Sequence, residues 1–348
     1  MKALMDYDFE YGKEFHYLCL KNCIKQVLDF YGVKDSRFYI NSIIEMAVDF
    51  NPKSKFGFSF MKSNAYCPVI PSKKSGIRIN GHKSAIRAWE QNMARASTIP
   101  LIALVDAFYL DYRREYMTSH GAHCVLLSGC DPEKKTVHII DWYEPYFFKG
   151  SVGYDLFLKA RDSQNEYSRN PFSGYGLYNQ WYEVAKDGWD LTKYKGFYES
   201  VYYSIHLHEF FAVKQDGSRK LKENALAALH RHVMDMNLKD NPAFWSYLHN
   251  ELFLLHTGFI LFSKNLSLII EEGNISIAQK DIQFLADYEA AFKKLLFAVL
   301  KASTRVNSDL PQKALDCLNE FAARTAGLYE VLSHTEAAMK KCIEDALI

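Results

Sequence analysis

At 348 residues, 49% of them hydrophobic and 24% charged, the chain can bury a large core and is expected to form two domains of an ordinary globular protein. Its net charge of +1 lacks the clustered basic excess of a nucleic-acid footprint, so no nucleic-acid partner is expected. Seven cysteines, with no framework spacing and no Cys-x-x-Cys pair, read as reduced thiols in a cytoplasm.

The first fifteen residues are acidic and aromatic and lack the basic and apolar regions of a signal peptide. Residues 18–31 read as a helix: Leu20, Cys23, Ile24, Val27, Leu28 and Tyr31 share one face, and Gly32 ends it. A second helical stretch is expected at 36–50, an irregular surface segment at 56–79 and a third helix at 82–96. Three strand-like runs follow, at 99–105, 124–128 and 136–140, the last two joined by a tight hairpin at Asp131-Pro132-Glu133-Lys134-Lys135. Ser151 is expected to cap a helix running to about Ala160. Residues 163–189 read as a long loop whose part from Tyr175 onward serves as a lid or an ordinary insertion, and 201–213 alternate like a strand.

After Asp216-Gly217 the pattern turns all-helical, at 221–236, 243–272, 276–303 and 311–348, with Gly273 ending the second helix. The most apolar run, Leu252 to Phe262, is too short to cross a membrane and reads as a buried helix, so no membrane partner is expected. The fold class is therefore α+β, with an antiparallel sheet in a catalytic domain at 1–215 and a helical bundle domain at 216–348. The bundle either packs on the catalytic cleft or makes a homodimer.

Cys19 opens the first helix, His123 begins one strand, and Asp141 ends the next. A helix N-terminus stabilises a thiolate, an imidazole moves its proton, and a carboxylate fixes the imidazole's tautomer. Antiparallel pairing brings the start of one strand beside the end of the next, so His123 and Asp141 can meet. Taken singly, Cys19 also reads as a small buried hydrophobe, His123 as a strand-edge residue and Asp141 as a turn residue. Cys23 lies one turn inside the helix, where its sulfur would point into packing. A metal site on His120 and His123 with Asp106 or Asp141 is not expected, since no helix-borne Glu-containing zinc motif accompanies the pair, and no cofactor is expected either.

The run from Ile99 to Leu110, then Tyr116, His120, His123 and Val125 to Asp131, together with the Cys19 helix closed by Gly32, resembles the butirosin-biosynthesis H-type acyltransferase family. By motif the resemblance covers roughly residues 14–160. It implies a papain-like domain related to the bacteriocin-processing cysteine peptidases, followed by a helical region. It also implies transfer of an acyl group from a carrier-protein or CoA-type thioester to an amine of a specialised metabolite such as an antibiotic intermediate. Cys19 would be the nucleophile, His123 the base and Asp141 its orienter. His16, Asp106, Tyr109 and His120 are the candidates for lining the substrate pocket, a solvated loop and a strand-terminal turn being the plainer readings of His16 and of Asp106 with Tyr109. Lys73, Lys74, Arg78, Lys83 and Arg87 form either a landing patch for an acidic carrier protein or a solvated face. The related peptidases carry a Gln several residues before the Cys; Lys13 and Glu14 occupy that region here, which leaves the second oxyanion donor unassigned. The alternatives are a cysteine peptidase or amidase of the bacteriocin-processing type and a non-catalytic binding module on the same fold.

Overall fold

The structure, a computed structural model, describes residues 9, 18–33, 36, 44, 46–60, 77–83, 96, 98–143, 146–168, 170, 172–186, 198, 201–202, 212–215, 218–221, 223–272, 275–304 and 309–345. Its elements in chain order are α1 (Cys19–Phe30), β1 (Val48–Phe50), β2 (Phe58–Phe60), β3 (Ile77–Lys83), β4 (Leu101–Asp106), β5 (Ala122–Asp131), β6 (Thr136–Tyr143), β7 (Tyr146–Gly153), α2 (Tyr154–Asp162), β8 (Gln180–Lys186), β9 (Ala212–Gln215), β10 (Ser218–Leu221), α3 (Ala225–Asp235), α4 (Pro242–Glu271), α5 (Gln279–Thr304) and α6 (Leu310–Asp345). The fold is mixed α+β with a helical C-terminal region. Two compact units emerge: Met1–Ile40 with Pro71–Asp190, and Asn41–Ile70 with Leu191–Ile348. The division differs from a single cut at 215, because the chain changes unit three times.

The first unit is built on a six-stranded antiparallel sheet in the order β3-β8-β4-β5-β6-β7. Helix α1 packs on this sheet, chiefly against β5 and β6. Its Ile24, Val27 and Leu28 are fully buried, each such side chain stabilising the fold by roughly 1.5–3 kcal/mol. The helix stops at Gly32, whose φ of +73° lets its N–H reach Asp29 C=O (2.8 Å) while Val33 N–H reaches Leu28 C=O (3.0 Å). Between β5 and β6 the pairing slips by one residue: Leu127 faces Ile139, but Gly129 faces His138.

The second unit holds a four-stranded sheet, β10-β9-β1-β2, in which β1 runs parallel to β9 and the other pairs are antiparallel. Asn224 and Asn241 cap α3 and α4 by accepting N–H bonds from the first turn. Helix α5 packs on both α4 and α6, and α6 also packs on α3. Tyr288 and Phe292 pack tilted against Phe321 at the α5–α6 seam, and the Tyr288 hydroxyl meets Thr325 Oγ1 at 3.0 Å. By length and composition α4 could cross a membrane, unlike the short run expected from the sequence, yet 67% of its most apolar window is buried inside the protein.

Several local expectations give way. Val48–Phe50 is a strand rather than the end of a helix, and Phe58–Phe60 and Ile77–Lys83 are strands within the segment expected to be irregular. His82 and Lys83 belong to that last strand, and 84–95 lie outside the described residues. Ser151 sits in β7 and does not cap α2, whose N-cap is Gly153. The supposed lid contains β8, an interior strand between β3 and β4, and residues 201–202 are helical while the strand there is Ala212–Gln215. The region after 217 opens with strand β10 before it becomes helical, and Gly273 lies outside the described residues.

Candidate active site

Cys19 is the first residue of α1. Among the described residues no side chain caps that end, and the first intrahelical bond is Asn22 N–H to Leu18 C=O at 3.1 Å. The N–H groups of Cys19 and Leu20 precede this bond, where a helix receives negative charge. Against the same end lies the start of β5: the Cys124 N–H donates to Cys19 Sγ at 3.3 Å.

His123, one residue earlier on β5, points its Nε2 at Asp141 Oδ1, 2.6 Å away. Its other ring nitrogen is thereby left for the Cys19 sulfur, with which the imidazole also hydrogen-bonds. The second Asp141 oxygen accepts from Arg113 Nη1 at 3.0 Å and from the Tyr112 hydroxyl at 2.8 Å. Arg113 in turn contacts Glu115, its Nε lying 3.3 Å from Oε2. Tyr112 is held flat on Phe148, with ring centroids 3.8 Å apart, and Phe148 is the β7 partner of Asp141. His123, Asp141 and Arg113 are all buried, so these charges act through little solvent screening.

The electrostatics follow from that geometry. The hydrogen bond from the Cys124 thiol and the nearby His123 charge outweigh burial and hold Cys19 well below the ordinary thiol range. Burial and Arg113 oppose charge on His123, but Asp141 and the Cys19 thiolate outweigh them, and His123 is pushed up to about 9. Asp141, despite its burial, is held below the usual carboxylate range by His123, Arg113 and Tyr112. Burial and the Cys19 charge push Cys23 well above the ordinary thiol value; the Cys19 contact and burial do the same to Cys124. One of three neighbouring thiols is therefore selected as thiolate.

Asp106 has a different occupation. Wholly buried, it accepts from Ser163 Oγ (2.6 Å), Gly121 N–H (3.0 Å) and Phe108 N–H (3.1 Å), and lies 2.7 Å from His120 Nδ1. Its carboxylate is spent on fixing the turn that leads into β5. Gly121 is confined there too, since a Cβ would come 2.2 Å from Asn170 Nδ2. His120 stacks on Phe108 with centroids 4.3 Å apart, and Tyr109 packs on the core of the first unit. Among the described residues no group of three or more His, Cys, Asp and Glu side chains is arranged to hold a metal ion. His16 and the basic residues Lys73, Lys74 and Arg87 lie outside the described residues, as do the side chains of Arg78 and Lys83.

Sequence reading missed Tyr112, Arg113 and Cys124. An Arg pair at 113–114 between an apolar strand and a turn is a weak signal, for sequence does not say which Arg turns inward. Asn22 was missed as well: its Nδ2 is buried and has no hydrogen-bond partner among the described residues, three residues along α1 from Cys19. No protein-family model matches the chain, and no curated protein matches it.

Proposed function

We propose that the chain is a cysteine-dependent acyltransferase on a papain-like fold, acting in the cytoplasm with Cys19 as nucleophile, His123 as proton carrier and Asp141 as its orienter. The observation that carries this reading is the series of contacts from the Cys19 sulfur through the His123 imidazole to the Asp141 carboxylate, assembled from α1, β5 and β6. A binding module has no need of a thiolate–imidazolium pair. Tyr112 and Arg113 belong to the same machinery, because they set the orientation and charge of Asp141.

In the proposed reaction the Cys19 thiolate attacks the carbonyl carbon of a carrier-protein or CoA-type thioester. The resulting oxyanion is received by the N–H groups of Cys19 and Leu20 and by the Asn22 side-chain amide. A residue three along a helix shares the face, and its side chain leans back over the preceding turn. The tetrahedral adduct collapses, the C–S bond to the donor breaks, and the departing thiol takes the His123 proton. An amine of a specialised metabolite then attacks the acyl-cysteine, His123 removes its proton, and the Cys19 thiolate returns. Tyr109 and the exposed edge of His120 are the acceptor-side candidates; Asp106 is not, since its oxygens are occupied.

The test is intact-protein mass spectrometry after incubation with a panel of acyl-pantetheine and acyl-carrier thioesters, with Cys19→Ala in parallel. A gain of one acyl group, absent from the variant, is the expected result. Selective labelling of Cys19 by iodoacetamide with no acyl adduct from any donor would turn the reading to a peptidase or amidase. No selective labelling would turn it to a binding module.

A further inference from the structure

Three thiols converge at the mouth of α1, and the proposed acyl transfer uses only one. Cys19 is partly exposed, whereas Cys23 and Cys124 are buried. The Cys124 thiol hydrogen-bonds the Cys19 sulfur, and the Cys124 backbone nitrogen is 3.3 Å from it. That places the Cys19 sulfur no more than about 4.8 Å from the Cys124 Cα, one N–Cα bond further on. Cys23 is the poorer partner on two counts. Its thiol is engaged by the Cys124 C=O at 3.6 Å. It also lies four residues from Cys19 on the same helix, which fixes the two Cβ atoms about 5–6 Å apart, beyond the about 3.5–4.5 Å that a disulfide takes.

We infer that Cys19 and Cys124 are a redox modification site: a hydroperoxide oxidises Cys19, and Cys124 resolves it as a reversible disulfide between α1 and β5. This rests on Cys19 being the reactive nucleophile of the proposed reaction, though not on the identity of the acyl donor. In the first step the Cys19 thiolate attacks a peroxide oxygen. An S–O bond forms, the O–O bond breaks, and the departing oxygen leaves as water or an alcohol. The sulfur is now a sulfenic acid, oxidised by two electrons, and the peroxide is reduced by two. In the second step the Cys124 sulfur attacks the Cys19 sulfur. The S–S bond forms, the S–O bond breaks, and the hydroxyl leaves with the Cys124 proton as water. A buried resolving thiol beside an accessible thiolate means that oxidant meets Cys19 first and that the sulfenic acid is consumed before a second peroxide arrives. An external thiol reverses the bond and returns the nucleophile.

The test uses the full chain, reduced, then treated with hydrogen peroxide and blocked with N-ethylmaleimide before intact-mass and peptide analysis. The expected product is about 2 Da lighter than the reduced chain before blocking, takes up fewer N-ethylmaleimide groups than it, contains a Cys19–Cys124 cross-linked peptide, and loses iodoacetamide labelling of Cys19 until dithiothreitol restores it. Cys124→Ala and Cys124→Val should give no cross-link and carry Cys19 on to the irreversible sulfinic acid, while Cys23→Ala should still cross-link. Over-oxidation of Cys19 at the same rate in the natural chain and both Cys124 variants would overturn the inference, as would a Cys19–Cys23 bridge. A Cys19 that reacts with iodoacetamide yet never cross-links overturns this inference alone. A Cys19 inert to both reagents overturns the nucleophile assignment with it.

Discussion

Two buried carboxylates on one sheet, Asp106 at the end of β4 and Asp141 on β6, each lie within 2.7 Å of a histidine nitrogen, and they are put to opposite uses. Asp106 is surrounded by neutral donors, two backbone N–H groups and a hydroxyl, and its histidine is covered by the Phe108 ring. Asp141 is bound by a full guanidinium charge and a phenol, and its histidine meets a thiol. An Asp–His pair is thus not in itself a reactive unit. The remaining face of the imidazole decides, and of the two only His123 has a thiol beside it among the described residues.

The contrast can be broken most directly at Asp141. Asp141→Asn keeps the shape but removes the charge that orients and stabilises the imidazolium, and acylation of Cys19 should fall on the order of 10⁴-fold. Asp106→Asn should leave it far less affected. Equal losses in the two variants, measured by single-turnover acylation, would erase the distinction between the two carboxylates. Asn22→Leu, which removes the proposed oxyanion donor while keeping the volume, should slow acylation by about 10²–10³-fold. An unchanged rate would return that role to the backbone N–H groups alone.

The pH dependence is a further test. His123 is raised to about 9, above its free value, so the imidazolium persists until pH passes that point. Cys19 is lowered, so its thiolate forms well before an ordinary thiol ionises. Iodoacetamide labelling of Cys19 should therefore be nearly flat from about pH 6 to 8, where a free thiol of pKa about 8.5 would react roughly tenfold faster per unit. A rate that climbs in that way would show that no ion pair exists. Asp141→Asn should restore part of the slope. The smallest effect belongs to the other carboxylate: Asp106→Asn should cost about 1–3 kcal/mol of stability, read as a lower thermal midpoint, with the pH plateau intact.

The sequence showed the parts of the site that depend on local pattern. Helix α1 has an apolar stripe and a terminal Gly, and the β5–β6 hairpin has two strand-like apolar runs around a turn, so Cys19 could be put at a helix start and His123 and Asp141 at neighbouring strand ends. What escaped depends on partners far along the chain. Val48–Phe50 is a strand because it lies between Phe58–Phe60 and Val213–Gln215, and nothing within its own few residues announces the second neighbour. β8 was hidden by Gly- and Tyr-rich flanks, although its Trp181 and Val184 are buried and it lies between β3 and β4. Arg113 and Tyr112 sit in a turn whose inward and outward residues follow no period. Asp106 was legible as a special residue but not as an internal one, since burial of a carboxylate is set by tertiary packing.

The slip at Gly129 determines on which side of the sheet the reactive groups stand. Near the hairpin the register is Asp131 to Thr136; carried on unbroken it would set Leu127 opposite Ile140, and His123, four residues from Leu127, would share a side with Ile140 and not with Asp141. The extra residue instead sets Leu127 opposite Ile139, so the alternation that brings His123 to one surface brings Asp141 to the same one. Odd and even positions are thereby exchanged across a single hairpin. Removing Ser128 would take out that extra residue and make Gly129–His138 and Leu127–Ile139 successive pairs of an unbroken ladder, so imidazole and carboxylate would keep one surface and the Cys19 labelling plateau should survive. A plateau lost at normal circular dichroism would show that the bulge itself, and not the register beyond it, seats the site.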